Sequence, residues 1–315
     1  MRSFAFYILT LFLIPIIGRG QQTAQYTQFY VNNFGYNPAF AGATGCIDFT
    51  FGGKYLWMGF EGAPRDMFVS VHGSKVQKYH TNKGRWGFGG YIEQDRIHLT
   101  TRNIFKGAVA YHKRLFGRTN GAAGLFFGLE QYAVDDVFGN FNADPVLVSA
   151  AGANLLYPEF MPGVLLYNNR WYMGVSVNQV YPHDTKLGGG EHKLRNHYYF
   201  TYSHNSFVND WIIKKSLFVK FARLAPVVAD ANISWEYRKK FTFGLGYRLG
   251  EAAMANIMFK LFGNMKIGYA FDFPLNKIKN TYSYSHEIMI RFSKCPDDIG
   301  GAPRGKVNKV ACPSF

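Results

Sequence analysis

The chain has 315 residues, a formal net charge of +15, 18% aromatic residues, 34 Gly and three Cys. That aromatic load excludes a disordered polymer, and three Cys exclude a disulfide-dense secreted scaffold. The basic balance would suit nucleic acid, a partner that an exported chain rarely meets.

Residues 1–20 read as a secretory signal. Arg2 is the basic start, 4–17 the apolar run, and Gly18-Arg-Gly20 the small-residue cleavage site. The apolar run falls short of the ~20 residues a membrane helix needs. No later run approaches that length without charge or Gly. Residues 21–45 are polar, aromatic and broken by Pro and Gly, and are expected to form an ordered segment in or near a barrel mouth.

From residue 46 to 293 the chain reads as strands. Fourteen are expected near 47–57, 66–73, 87–92, 99–112, 122–133, 160–167, 171–178, 196–204, 213–222, 228–237, 241–248, 252–261, 265–272 and 282–292, with twelve as the other count. The last strands alternate most regularly. In 229–237, Ala229, Ala231, Ile233, Trp235 and Tyr237 oppose Asp230, Asn232, Ser234 and Glu236. In 241–248, Phe241, Phe243, Leu245 and Tyr247 oppose Thr242, Gly244, Gly246 and Arg248. Period-two alternation marks a half-buried strand. Here one face is crowded with aromatics and the other carries full charges, which is the pattern of an outer-membrane barrel with its apolar side to lipid. The expected fold is therefore all-β: a single antiparallel transmembrane barrel of about fourteen strands. A short C-terminal tail, 294–315, should lie in the periplasm. A soluble sandwich or propeller is the competing class.

The lumen face is expected to carry Asp230, Glu236, Arg248, Asp272, Glu287 and Arg291. Opposite charges inside a barrel pair and line or close the lumen. Strand parity assigns short turns to the periplasm and long loops to the outside. It also places nearly all of the excess positive charge on the periplasmic rim. Lys75, Lys78, Lys83, Arg85, Lys113, Arg114, Arg118, Arg238, Lys239 and Lys240 come from three turns that contain no acidic residue. They are the expected surface for an acidic or anionic partner, against the plainer reading of basic turns meeting headgroups.

Catalytic patterns are missing. No His/Cys cluster has metal spacing, and neither GxSxG nor a phosphate loop occurs. Ser285 and His286 are adjacent, so on a strand they point to opposite faces and cannot form a nucleophile–base pair. His286 falls on the lipid-facing phase near the outer rim. The chain is expected to be no enzyme, to need no cofactor, and to carry no lipase site. Cys295 and Cys312 lie in the tail of an exported chain and are expected to pair, leaving Cys46 as a free thiol.

Several motifs occur in order: Gln25-Tyr-Thr-Gln28, Tyr36-Asn-Pro-Ala-Phe-Ala-Gly42, Trp57-Met-Gly-Phe-Glu-Gly-Ala-Pro64 and Ser70-Val-His-Gly73. They are followed by Gly163-Val-Leu-Leu-Tyr167, Trp171-Tyr-Met-Gly-Val-Ser176, Phe243-Gly-Leu-Gly-Tyr-Arg248, Gly268-Tyr-Ala-Phe-Asp272 and Ser285-His-Glu-Ile-Met289. Together they resemble the PorP/SprF family, outer-membrane proteins of the type IX secretion and gliding-motility machinery of Bacteroidota. The resemblance implies a non-enzymatic role in exporting or anchoring surface clients such as adhesins. It also implies contact with periplasmic ring, motor and translocon proteins of that machine. A diffusion channel or transporter for small hydrophobic molecules is the alternative function.

Overall fold

A computed structural model describes residues 24–74, 84–135, 152–180, 184–187, 190–193, 196–223, 225–275 and 284–295. The expected signal, most of the tail, and Lys75, Lys78, Lys83 and Cys312 lie outside the described residues.

Fourteen antiparallel strands close into one barrel. They are β1 Ile47–Tyr55, β2 Arg65–Ser74, β3 Arg85–Ile97, β4 Thr100–Phe116, β5 Thr119–Val134, β6 Asn154–Tyr167 and β7 Trp171–Asn178, then β10 His197–Val208, β11 Trp211–Ala222, β12 Val228–Tyr237, β13 Phe241–Arg248, β14 Ala252–Lys260, β15 Met265–Pro274 and β16 Ser285–Lys294. Each pairs with its chain neighbour, except that β7 pairs with β10 across a small outer hairpin, β8 Asp184–Leu187 and β9 Gly190–Lys193. Two rims result. The terminal rim holds the start of β1, the end of β16 and turns as short as Asn209-Asp210. The loop rim, opposite, holds the long connections.

The alternation is inverted relative to a soluble sheet. On β12, Asp230, Asn232, Ser234 and Glu236 are buried, while Ala231 and Ile233 are exposed. On β1, Asp48, Thr50 and Lys54 are buried and Phe49 is exposed. Polar residues face inward and apolar ones outward, as lipid requires. Glycine supplies room within this wall, most visibly where the chain inside the barrel lies against it.

Strands β3 to β6 run longer than their apolar alternation suggests. Near the loop rim their outward positions turn polar, and the amides join across strands. Gln94 donates to Asn103 (2.9 Å), Asn103 to Gln131 (3.2 Å), and Gln131 to Asn154 (3.0 Å). Both faces are polar there, so period-two contrast vanishes while the ladder continues.

The barrel closes where β16 meets β1, with Ile47 opposite Lys294. That register sets the residues just outside the pair, Cys46 and Cys295, side by side, and they form a disulfide. This corrects the expected Cys295–Cys312 pairing and the free thiol at Cys46. The cause is closure of the sheet, which brings together residues 249 apart in sequence. Spacing within the tail carried no trace of it.

Candidate functional site

The feature with functional weight is the interior, filled by the chain's own N-terminal segment. From Ala24 the backbone passes through a one-turn helix, α1 Asn33–Tyr36, and a 3-10 turn at Pro38–Phe40, to Gly45 at the terminal rim. Pro38 cannot donate at the turn's start, where no partner is needed. The Asn37 side chain caps the turn by accepting from the Ala39 amide at 2.9 Å. Thr27, Gln28 and Phe29 are 0% exposed, so the plug is packed on every side at that level.

The plug is held at three levels. Near the loop rim, Lys54 donates to the Gln25 carbonyl (3.0 Å), Thr27 Oγ1 (2.9 Å) and Asp272 (2.8 Å). Asp272 also accepts from Thr27 Oγ1 at 2.7 Å. Glu287 accepts the backbone amides of Thr27 (2.6 Å) and Gln28 (2.8 Å). Gln25 donates to Asp230 at 2.8 Å. Here the barrel's carboxylates substitute for the β-partners that this non-strand backbone lacks.

At mid-height the contacts are aromatic and close. Phe34 packs on Phe126 (4.9 Å), Tyr36 on Phe218 (4.6 Å) and Tyr26 on Phe68 (4.9 Å). Tyr30 donates to Asn256 at 2.8 Å. The wall meets the plug through bare backbone. A Cβ on Gly87 would lie 1.8 Å from the Ala41 carbonyl oxygen, on Gly124 2.6 Å from the Ala39 nitrogen, and on Gly163 2.2 Å from Asn37 Oδ1. These inward glycines explain much of the Gly content of the strands. Between Gly163 and Gly174 the Asn37 amide reaches the carbonyls of Val164 (3.0 Å) and Val175 (3.3 Å), touching both β6 and β7.

Near the terminal rim, His112 bonds the Ala41 carbonyl (2.7 Å) through Nε2 and the Tyr167 hydroxyl (3.0 Å) through Nδ1. Arg85 donates to the Ala43 carbonyl (2.6 Å) and to Tyr167 (2.9 Å).

All six expected lumen charges face inward and are partnered. Arg248 pairs with Asp230 (2.9 Å), Arg291 with Asp48 (2.9 Å), and Glu236 with Lys214 (2.7 Å) and Lys266 (2.8 Å). Asp272 and Glu287 hold the plug. Sequence reading missed Lys54, Asp48, Lys214 and Lys266, and the pairs Lys106–Glu159 (2.7 Å) and Arg102–Glu130. The signal was present: Asp48 and Lys54 share the phase opposite Phe49 and Phe51, and Lys106 and Glu159 likewise lie opposite outward Phe105 and Phe160.

The expected rim set divides. Lys113, Arg114, Arg118, Arg238, Lys239 and Lys240 are exposed at the terminal rim, beside exposed Leu115 and Phe116. Arg85 is a correction: it occupies the first residue of β3 and turns inward to the plug. Arg238 is a second, because the neighbouring turn supplies Asp210 at 2.8 Å, so the turns are not free of internal neutralisation. Arg114 bends back to the Gly117 carbonyl at 2.6 Å.

The family model described as "Type IX secretion system membrane protein PorP/SprF" matches residues 18–292. No curated protein matches the sequence. Among solved structures, the Ralstonia pickettii toluene transporter TbuX is 10% identical, with TM-score 0.50 and coverage of 82% of this chain and 92% of its own. The Pseudomonas putida toluene transporter TodX is 9% identical, with TM-score 0.49 and coverage of 82% and 92%. At such identities the likeness to TbuX is one of barrel architecture. With outer-membrane barrels as its neighbours in fold and a secretion-system membrane family as its match, the protein is located in the bacterial outer membrane.

Proposed function

The chain belongs to the PorP/SprF family of type IX secretion membrane proteins, and from that premise we propose that it is a closed, non-enzymatic support of the export machinery. Its part is to help export or anchor client proteins at the surface, without passing them through its own lumen. The observation that carries this reading is the buried plug, tied to the wall by ion pairs and close glycine contacts. A client chain would have to break those contacts to enter. The alternative, a channel for small hydrophobic molecules, fits less well. Its path would cross Lys54, Asp272, Glu287, Asp230 and Arg248, all buried and mutually bonded. An apolar solute gains nothing from such groups and would leave them unpaired.

The terminal rim then meets the periplasm, since outer-membrane barrels keep their short turns on that side. Lys113, Arg118, Lys239 and Lys240 are the rim cations in this reading, with Leu115 and Phe116 as apolar contacts at the same tip. Charge there speeds and orients association with an acidic periplasmic partner of the same system, and salt weakens it.

The test is complementation of a deletion strain with wild type or with Lys113, Arg118, Lys239 and Lys240 all replaced by Gln. Barrel assembly is checked by heat-modifiable gel mobility. Deletion is expected to remove specific surface proteins. The Gln variant should assemble yet restore them poorly and pull down less periplasmic partner at low salt. A deletion strain with an intact surface proteome and reduced uptake of small hydrophobic molecules would favour the channel instead.

A further inference from the structure

We propose that the outward face of the barrel at the loop rim binds the phosphate of a lipid headgroup, through Arg65 on β2 and Arg96 on β3. The two arginines are direct ladder partners, so their Cα atoms lie about 5 Å apart. Their chain neighbours Asp66 and Asp95 are the buried, inward pair, which fixes the arginines on the lipid side. Below Arg65 on β2 run the exposed apolar residues Met67, Val69 and Val71, and on β3, one outward position further down past Gln94, run Ile92, Phe88 and Trp86. Above them the strands end, at Arg65 and Ile97. The pair therefore stands at the upper edge of the lipid-facing band.

Like charges directly opposite across a ladder repel, and little at the site offsets this. Arg65 lies over the Tyr55 ring at 4.6 Å and donates to its hydroxyl at 2.8 Å, which orders the guanidinium without neutralising it. Arg96 donates to Asp135 at 2.9 Å, but the two side chains are 57% and 45% exposed. An ion pair that open is screened by water and worth little. A second observation extends the row. Tyr55 faces His286 on β16, whose Nδ1 bonds the Tyr269 hydroxyl at 2.6 Å. On the other flank the amides of Gln94, Asn103, Gln131 and Asn154 run at nearly the same height.

Two guanidinium forks side by side match the oxygens of one phosphate, and each fork can bond it in bidentate fashion. Toward the other rim the outward lysines, Lys113 on β4, Lys215 on β11 and Lys294 on β16, stand singly, with no second Lys or Arg as a ladder partner. The apolar band directly beneath Arg65 and Arg96 supplies a place for acyl chains, which a free phosphate would not use. This inference stands on the lipid-facing geometry and is independent of the secretion role, so either can fail alone.

The experiment reconstitutes the full-length barrel in phosphatidylcholine nanodiscs containing a minority of phosphatidic acid, and counts retained lipids by native mass spectrometry. Wild type is expected to retain phosphatidic acid in preference. The R65Q/R96Q variant should lose that preference by at least about tenfold, the scale of one lost charge-assisted bond. R65K/R96K should keep part of it, and D135N, which frees Arg96, should strengthen it. Inorganic phosphate should compete poorly. Equal retention by wild type and R65Q/R96Q overturns the proposal, as does full displacement of the lipid by inorganic phosphate. Unchanged heat-modifiable mobility of each variant shows that the barrel itself is intact.

Discussion

Excising residues 25–44 is expected to convert an electrically silent barrel into an open pore. The wall does not depend on this segment for its ladder: all fourteen strands pair with one another, and none pairs with the plug. The lumen face is polar, so it tolerates water once the plug is gone. Arg248–Asp230, Arg291–Asp48 and Lys214–Glu236 would remain to line it. In planar bilayers the wild-type protein should show no steady current, and the excised barrel discrete open steps with a preference set by those charges. Silent recordings from an excised barrel that still shows heat-modifiable mobility would mean that the wall side chains close the lumen by themselves.

The second large effect is expected at Lys54. Its ammonium joins the Gln25 carbonyl, Thr27 and Asp272, and lies 3.9 Å from Glu287. Lys54→Met keeps the volume but leaves two buried carboxylates with one cation fewer. Breaking a buried pair in this way costs about 3–5 kcal/mol, because the remaining charge has lost its compensation. The thermal midpoint of the gel-mobility shift should fall, and limited proteolysis should begin within residues 25–44. Adding Asp272→Asn removes one orphaned charge and should recover part of the loss. A midpoint unchanged by K54M would show that water already solvates this cluster.

The barrel was legible in the sequence because its strongest signal is local. In β12 and β13 each residue reports its own face, and the expected bounds 228–237 and 241–248 match the strands. The same phase puts Asp230, Glu236, Arg248, Asp272, Glu287 and Arg291 on the inner face. The expected bounds 87–92 and 160–167 fall short of β3 and β6 at the loop rim because Gln94 and Asn154 sit outside the apolar band, where side-chain contrast no longer tracks the backbone; β4 and β5 instead outrun 99–112 and 122–133 mainly at the terminal rim, through residues 113–116 and 119–121. Long-range closure left no local mark. Cys46 and Cys295 meet only because β1 finds β16, and Arg85 turns to the plug only because Ala43 ends there. The plug was expected in or near a mouth; its depth follows from glycines on five separate strands, among them Gly87, Gly124, Gly163, Gly174 and Gly268, which no single stretch of sequence brings together.

If the barrel supports export without serving as the conduit, a plug locked to the wall leaves client display intact. A Cβ on Gly268 would lie 3.3 Å from the Cδ atom of Gln28, and both amide atoms of Gln28 lack a hydrogen-bond partner. Gln28→Cys with Gly268→Cys puts one thiol on the plug and one on the wall at this contact, and mass mapping without reductant verifies that the two are joined. Cells carrying the pair would be compared with wild type, oxidised and then mildly reduced, and surface proteins quantified by protease shaving. Full display of clients is expected with the plug locked. Loss of display on oxidation, restored by reduction in the locked strain alone, would contradict it and make the lumen the path.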